Sequence, residues 1–291
     1  MIKRLGTIVG LVLLAALAFG VPSGQAGTVN ILWYTGGVEN SVNYKDAFNT
    51  LAGSNPGGNA WNITYWDSGA RPSGTFNTLV VVSQEGGWNV FPDYSALTGS
   101  GLTEASFGNR VMITGQDTDW HYLNGPGNGT TGQAFDGPRG FLANAINWSG
   151  SGTGMGAVIL ASDPGFTLFS GLGTEDGGSD DVRIPSAFTG LPINAGLTSD
   201  GLSDWGTSSH HSWTATDTTK WAQINVLGNC GVDAVNPPVE ACTQFVTLIK
   251  AEEAGGGLGG GLTPVPEPST LVLLGTALVG FSARRWRKAG K

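Results

Sequence analysis

Positive charge is scarce along most of this chain. Its 14 Lys+Arg stand against 22 Asp+Glu, and seven of the basic residues (Lys3, Arg4, Arg284, Arg285, Arg287, Lys288 and Lys291) sit at the two ends together with one acidic residue, Glu267. Between the ends remain 7 basic and 21 acidic residues, a net charge of −14. Such a field repels nucleic acid, and repels anionic polymers unless calcium bridges them. Cysteine is limited to Cys230 and Cys242, and charged residues of both signs to 12 %. No internal repeat occurs, and the regular Thr-x-Thr ladder that an ice-binding β-solenoid needs is missing. Glycine is abundant, at 48 residues, so loops are too. The roughly 235 residues between the ends suffice for one large domain with a sizeable core, or for two small ones.

At the N-terminus, Lys3 and Arg4 precede an apolar run over 8–19, and Gly24, Gln25 and Ala26 follow. This is the pattern of a secretory signal peptide over 1–26, cut after Ala26, which implies export through the Sec translocon. A retained N-terminal anchor is the alternative. In an oxidising compartment Cys230 and Cys242, separated by a short loop with Pro237 and Pro238, favour a disulfide over free thiols or a metal pair. Closing a loop of that size contributes about 3 kcal/mol.

The body, 27–254, opens on an apolar run over 29–34, a buried strand, and continues with Tyr44, Ala47, Phe48 and Leu51 at helical spacing. Strands are expected at 61–66, 79–83, 110–114 and 156–161, and a helix over 138–148 with Asp136 near its cap. Alternation of continuously apolar strands with helices predicts a three-layer α/β sandwich with a mainly parallel sheet, as in flavodoxin-like folds. Short strand-like pieces at 166–169, 181–184, 213–216, 221–226 and 244–250 are expected to extend that sheet in antiparallel fashion, a separate β domain being the alternative. A glycine-rich linker occupies 255–264.

Ligands of such sheets bind beyond the carboxyl ends of the strands. Three loops there hold the candidate residues: Glu85, then Gln116, Asp117, Asp119 and His121, then His210 and His211, which with His121 are all the histidines of the chain. On an extended segment, Asp117, Asp119 and His121 would point one way and converge on a water or an ion. With His210 or His211 brought over, these donors would make a mixed O/N site for a divalent metal. Alternatively, these groups cap the next segment and bond the loop backbone. The acidic stretch 175–181 could likewise hold calcium or be a solvated loop. Trp33, Trp61, Trp66 and Trp221 are expected in the core. Trp88, Trp120, Trp205 and Trp213 are expected at a pocket rim, where their faces could stack on sugar rings.

The C-terminal stretch has three parts in order. Val265, Pro266, Glu267 and Pro268 stay extended, since proline leaves both helix and ladder. An apolar segment over 269–283 follows, spanning roughly 22 Å as a helix. Arg284, Arg285, Trp286, Arg287 and Lys288 then fix a cytoplasmic end, with Trp286 and snorkelling arginines making up the difference to a roughly 30 Å hydrocarbon core. This tail, over 265–288, resembles the PEP-CTERM sorting signal of Gram-negative bacteria that make extracellular polysaccharide. The same tail also resembles the C-terminal domain of some ice-binding proteins. The first resemblance implies a transient inner-membrane anchor, cleavage near the Pro-Glu-Pro by an exosortase, and release to the cell surface or the extracellular matrix, with polysaccharide as a possible contact. An ordinary single-pass anchor is the alternative.

The body over about 29–226 resembles the class I glutamine amidotransferase-like superfamily, in which a strand ends in a Gly-x-Cys-x-Gly turn and a histidine arrives from a distant loop. Gly115 matches the first glycine, Asp117 falls where the cysteine would be, and Asp119 replaces the second glycine. Because thiolate attack needs a sulfur at the turn, amidotransferase chemistry is excluded. The resemblance implies the fold with a non-catalytic binding or structural role. The rival expectation is an extracellular hydrolase acting on a water, or a metal-dependent enzyme, using Asp117, Asp119 and His121, His210 or His211.

Overall fold

The computed structural model describes residues 27–38, 42–83, 91–124, 136–160, 166–176, 181–203, 205, 211–228 and 244–254. Strand β1 (Thr28–Tyr34) buries Ile31, Leu32, Trp33 and Tyr34 completely, because both faces of the sheet are covered there. Helix α1 (Val42–Gly53) and strand β2 (Ala60–Trp66) follow, then β3 (Thr78–Val81), α2 (Ser95–Gly99), β4 (Val111–Thr114), α3 (Thr118–Asn124), α4 (Asp136–Gly150) and β5 (Gly156–Ile159). Beyond them come β6 (Thr174–Asp176), β7 (Val182–Arg183), α5 (Ser199–Leu202), β8 (Ser212–Thr214), β9 (Trp221–Leu227) and β10 (Phe245–Lys250).

Five strands run parallel in the order β2-β1-β3-β5-β4. Against β4 lies β10, antiparallel, and β8 and β9 pair with β10 in the same sense. Short β6 and β7 then pair with β8 and β9. The α/β class, the mainly parallel sheet and the antiparallel additions are therefore as the sequence predicts. In the flavodoxin order the strands run 2-1-3-4-5. Here the last two are exchanged: β4 is laid one place out, and the chain returns through α4 to set β5 between β3 and β4.

One face of the sheet carries α1 and α4. Tyr44, Phe48 and Leu51 from α1 and Phe141, Leu142, Ala145 and Ile146 from α4 pack on Ile31, Trp33, Val80 and Val158. Phe48 meets Trp33 and Tyr44 at ring-centroid distances of 4.6 Å. Among the described residues the other face carries the short α2, through Leu97, with Leu102, Phe107, Phe166 and Phe169 completing the cover over Leu32, Leu79, Val81 and Ile159. Every residue of β3, β4 and β5 is buried, which explains their continuous apolar runs. Each large side chain so buried contributes about 1.5–3 kcal/mol.

Two local expectations are corrected. Residues 166–169 form no strand; Phe166 and Phe169 are loop plugs pressed together at 6.1 Å. The segment from Asp117 to His121, read as extended, instead enters helix α3 (Thr118–Asn124). The signal peptide, Cys230 and Cys242, the glycine linker and the tail lie outside the described residues. Among the described residues no helix is long and apolar enough to cross a membrane. The segment expected to do so, 269–283, is not one of them.

Candidate functional site

Strand β4 ends at Thr114, and the chain turns through Gly115, Gln116 and Asp117 into α3. The turn is tight. Asp117 has φ 36°, in the left-handed region where a Cβ is disfavoured but Asp is tolerated. Gly115 is required by a different contact: a Cβ there would lie 2.3 Å from the backbone oxygen of His211. The His211 amide in turn donates to the Gly115 carbonyl at 2.9 Å. A distant histidine-bearing loop thus reaches the end of β4 through its backbone at 211. His210 and Glu85 lie outside the described residues.

The helix separates the three residues expected to converge. Positions i and i+4 share a helix face, whereas i+2 points away. His121 Nε2 lies 3.5 Å from Asp117 Oδ1, an i,i+4 pair. The imidazole is 1 % exposed and sits edge-on to Trp120 at 4.9 Å and Trp205 at 5.4 Å. Asp119, 0 % exposed, turns instead beneath the carboxyl ends of β1 and β3. Its Oδ2 accepts from the Tyr44 hydroxyl at 2.8 Å and from the Ser83 amide at 3.1 Å. Trp33 Nε1 donates to the Tyr44 oxygen at 3.2 Å, closing a chain of three side chains. Among the described residues Asp119 Oδ1 has no hydrogen-bond partner. Burial pushes the Asp119 carboxyl up, with the charge of Asp117 adding and the bonds from Ser83 and Tyr44 opposing.

Gln116, expected in a pocket, faces the interior. It is 0 % exposed, accepts from Thr247 Oγ1 at 3.1 Å and donates to the Leu202 carbonyl at 3.5 Å. Thr247 also meets Thr114 at 3.0 Å and Asn225 at 3.5 Å, and Asn225 exchanges amide bonds with Asn194 at 3.0 and 3.2 Å. This row of neutral polar groups ties β4, β10 and β9 together inside the sheet. The alternating-residue argument missed it, and no spacing in the sequence announces it.

Among the tryptophans, Trp33, Trp61, Trp66 and Trp221 are core as expected. Trp205 and Trp213 are corrected: at 1 % and 5 % exposure they are core as well, not a rim. Trp88 lies outside the described residues, and Trp120 is half-buried. Glu175 and Asp176 form part of β6, while 177–180 lie outside the described residues. Among the described residues no group of three or more His, Cys, Asp or Glu is placed to hold a metal ion. At the opposite, amino-terminal ends of the strands lies an open groove of about 440 Å³, lined by Arg71, Phe76, Ser100, Leu102, Ser106 and Met155. Nothing in the sequence pattern pointed to it.

The family model of the PEP-CTERM protein-sorting motif matches residues 264–288. No curated protein and no solved structure matches the chain.

Proposed function

We propose that this chain is exported, held at the inner membrane by its C-terminal segment, cut near Pro266-Glu267-Pro268 by an exosortase, and left at the cell surface or in the extracellular matrix. The match of residues 264–288 to a protein-sorting motif carries this reading. The signal-peptide pattern over 1–26 agrees with it, since both ends then serve delivery. The body acts at the destination as a non-catalytic binding or structural component. The inward-facing Gln116 and Asp119 support that role, because groups held to backbone and core partners are not offered to a substrate. For binding, the groove beside Arg71 and Phe76 joins an aromatic face, a guanidinium and hydroxyls, chemistry suited to a neutral sugar. The test is mass spectrometry of the C-terminus of the protein recovered from the cell surface of an exosortase-bearing host. A terminus near residue 268, shifted back to 291 when Pro266 and Pro268 are replaced by alanine, is the expected result. A mature protein retaining residue 291 in the wild type rejects it.

A second reading is favoured by one observation, the left-handed Asp117 at a strand-to-helix turn with His121 beside it. Backbone strain of this kind is kept at working residues. In that reading Asp117 orients the His121 imidazole, which takes a proton from water during hydrolysis. A screen of ester and glycoside substrates, with Asp117→Asn and His121→Gln as controls, tests it. Turnover abolished by either substitution supports a hydrolase. Absence of turnover, or turnover that survives both, removes it.

A further inference from the structure

Among the described residues strand β2 is one end of the sheet, and no strand pairs with its outer side. Ala60 N donates to the Gly27 carbonyl, and Trp66 O accepts from the Thr35 amide, so the even-numbered residues of β2 turn their peptide groups toward β1. The N–H and C=O groups of Trp61, Ile63 and Tyr65 therefore point out of the sheet, and among the described residues none of them has a partner. Proteins ordinarily blunt such an edge with charge, proline, a bulge or a short strand. The opposite end of the strand order obeys that rule: β6 is only three residues long. By contrast, β2 runs seven residues in unbroken register with β1 and contains neither charge nor proline.

We propose that β2 is a docking edge for a second copy of this chain, the two strands pairing antiparallel about a two-fold axis through Ile63. A two-fold interface must be complementary to itself. The sequence of β2 is a chemical palindrome about that residue: Trp61-Asn62-Ile63-Thr64-Tyr65 reads aromatic, polar, aliphatic, polar, aromatic in either direction. In this register the outward peptide groups of Trp61, Ile63 and Tyr65 meet those of Tyr65, Ile63 and Trp61 of the second copy, which is the hydrogen-bonded phase of an antiparallel ladder. Side chains agree with it on both faces. On the α1 side Trp61 stands opposite the second copy's Tyr65, and aromatic pairs across strands are favourable. On the other side the exposed Asn62 and Thr64 stand opposite each other and stay polar. Lack of charge within β2 matters doubly, because two bodies of the same sign must approach one another. The proposal is independent of how the chain is exported.

Cross-linking and mass measurement on the full chain in detergent test it. A hydrogen-bonded antiparallel pair sets its Cα atoms about 5.5 Å apart, inside the range a disulfide needs. Ile63→Cys is expected to give a covalent dimer on mild oxidation, above the background of the parent chain. Thr64→Cys, whose counterpart lies two residues out of register, is expected to give several-fold less. Ile63→Pro removes only an outward N–H and leaves the ladder to β1 whole. By analytical ultracentrifugation it should weaken dimerisation at least tenfold. If Ile63→Pro misfolds by circular dichroism, Thr64→Lys supplies the same disruption through charge on the edge. A parent chain monomeric throughout the micromolar range overturns the proposal. So does a dimer indifferent to folded Ile63→Pro or Thr64→Lys, or a Thr64→Cys chain that cross-links as readily as the Ile63→Cys chain.

Discussion

The Tyr44 hydroxyl, on the helix over β1, donates to Asp119 Oδ2 at 2.8 Å where neither residue has any solvent exposure. A bond between residues 75 apart in sequence, in a dry layer between helix and sheet, anchors α1 to the start of α3.

The first prediction follows from the burial of that carboxyl. Burial raises the folded Asp119 above the ordinary value of 3.8 that it has in the unfolded chain. Between those two values the folded state binds more protons, so stability falls as pH rises from about 4 toward the folded value. Asp119→Asn removes the titration. Urea denaturation at a series of pH values should show the stability difference moving in favour of Asp119→Asn as pH increases. A difference independent of pH contradicts a raised carboxyl.

A second concerns the backbone at Asp117. Asn tolerates the left-handed region and a β-branched residue does not. Asp117→Val should therefore be less stable than Asp117→Asn by about 1–3 kcal/mol. Equal stabilities in chemical denaturation would mean the turn relaxes.

Gly115 gives the third. Its α-carbon faces the His211 carbonyl so closely that a methyl group must displace the 211–213 segment. Gly115→Ala is expected to cost at least about 2 kcal/mol and to speed amide exchange at His211. A neutral substitution would show the contact to be loose.

The amide pair Asn194–Asn225 supplies the fourth, through a double-mutant cycle. Either Asn→Leu alone strands a buried amide and should cost about 1–3 kcal/mol. The two together should cost less than the sum of the single changes. Strict additivity would indicate that the pair does not interact in solution.

The parallel half of the sheet was legible because its strands are buried on both sides, so their runs are apolar without interruption, as in Leu79, Val80 and Val81. Helices α1 and α4 were legible from one apolar stripe each. Helix α3 was not, since Thr118, Asp119 and His121 are buried polar residues, and Asp119 finds its partners in Tyr44 and Ser83, distant in sequence. For the same reason the site reads differently in three dimensions: Asp117 and His121 meet, and Asp119 leaves them. The exchange of β4 and β5 was illegible as well, because strand order depends on which crossover covers which face. Trp205 and Trp213 looked like rim residues only because they neighbour histidines; packing decided otherwise.

Strand β10 lies in the middle of the sheet, yet its partner β4 is far upstream: Thr247 stands beside Thr114. The order in which a ribosome delivers the chain therefore matters. Until residues 245–250 have been made, the flank of β4 has no neighbour, and the two apolar faces meet nothing along that seam. A chain terminated before residue 245 leaves that flank of β4 an unpaired edge, open to association with other chains.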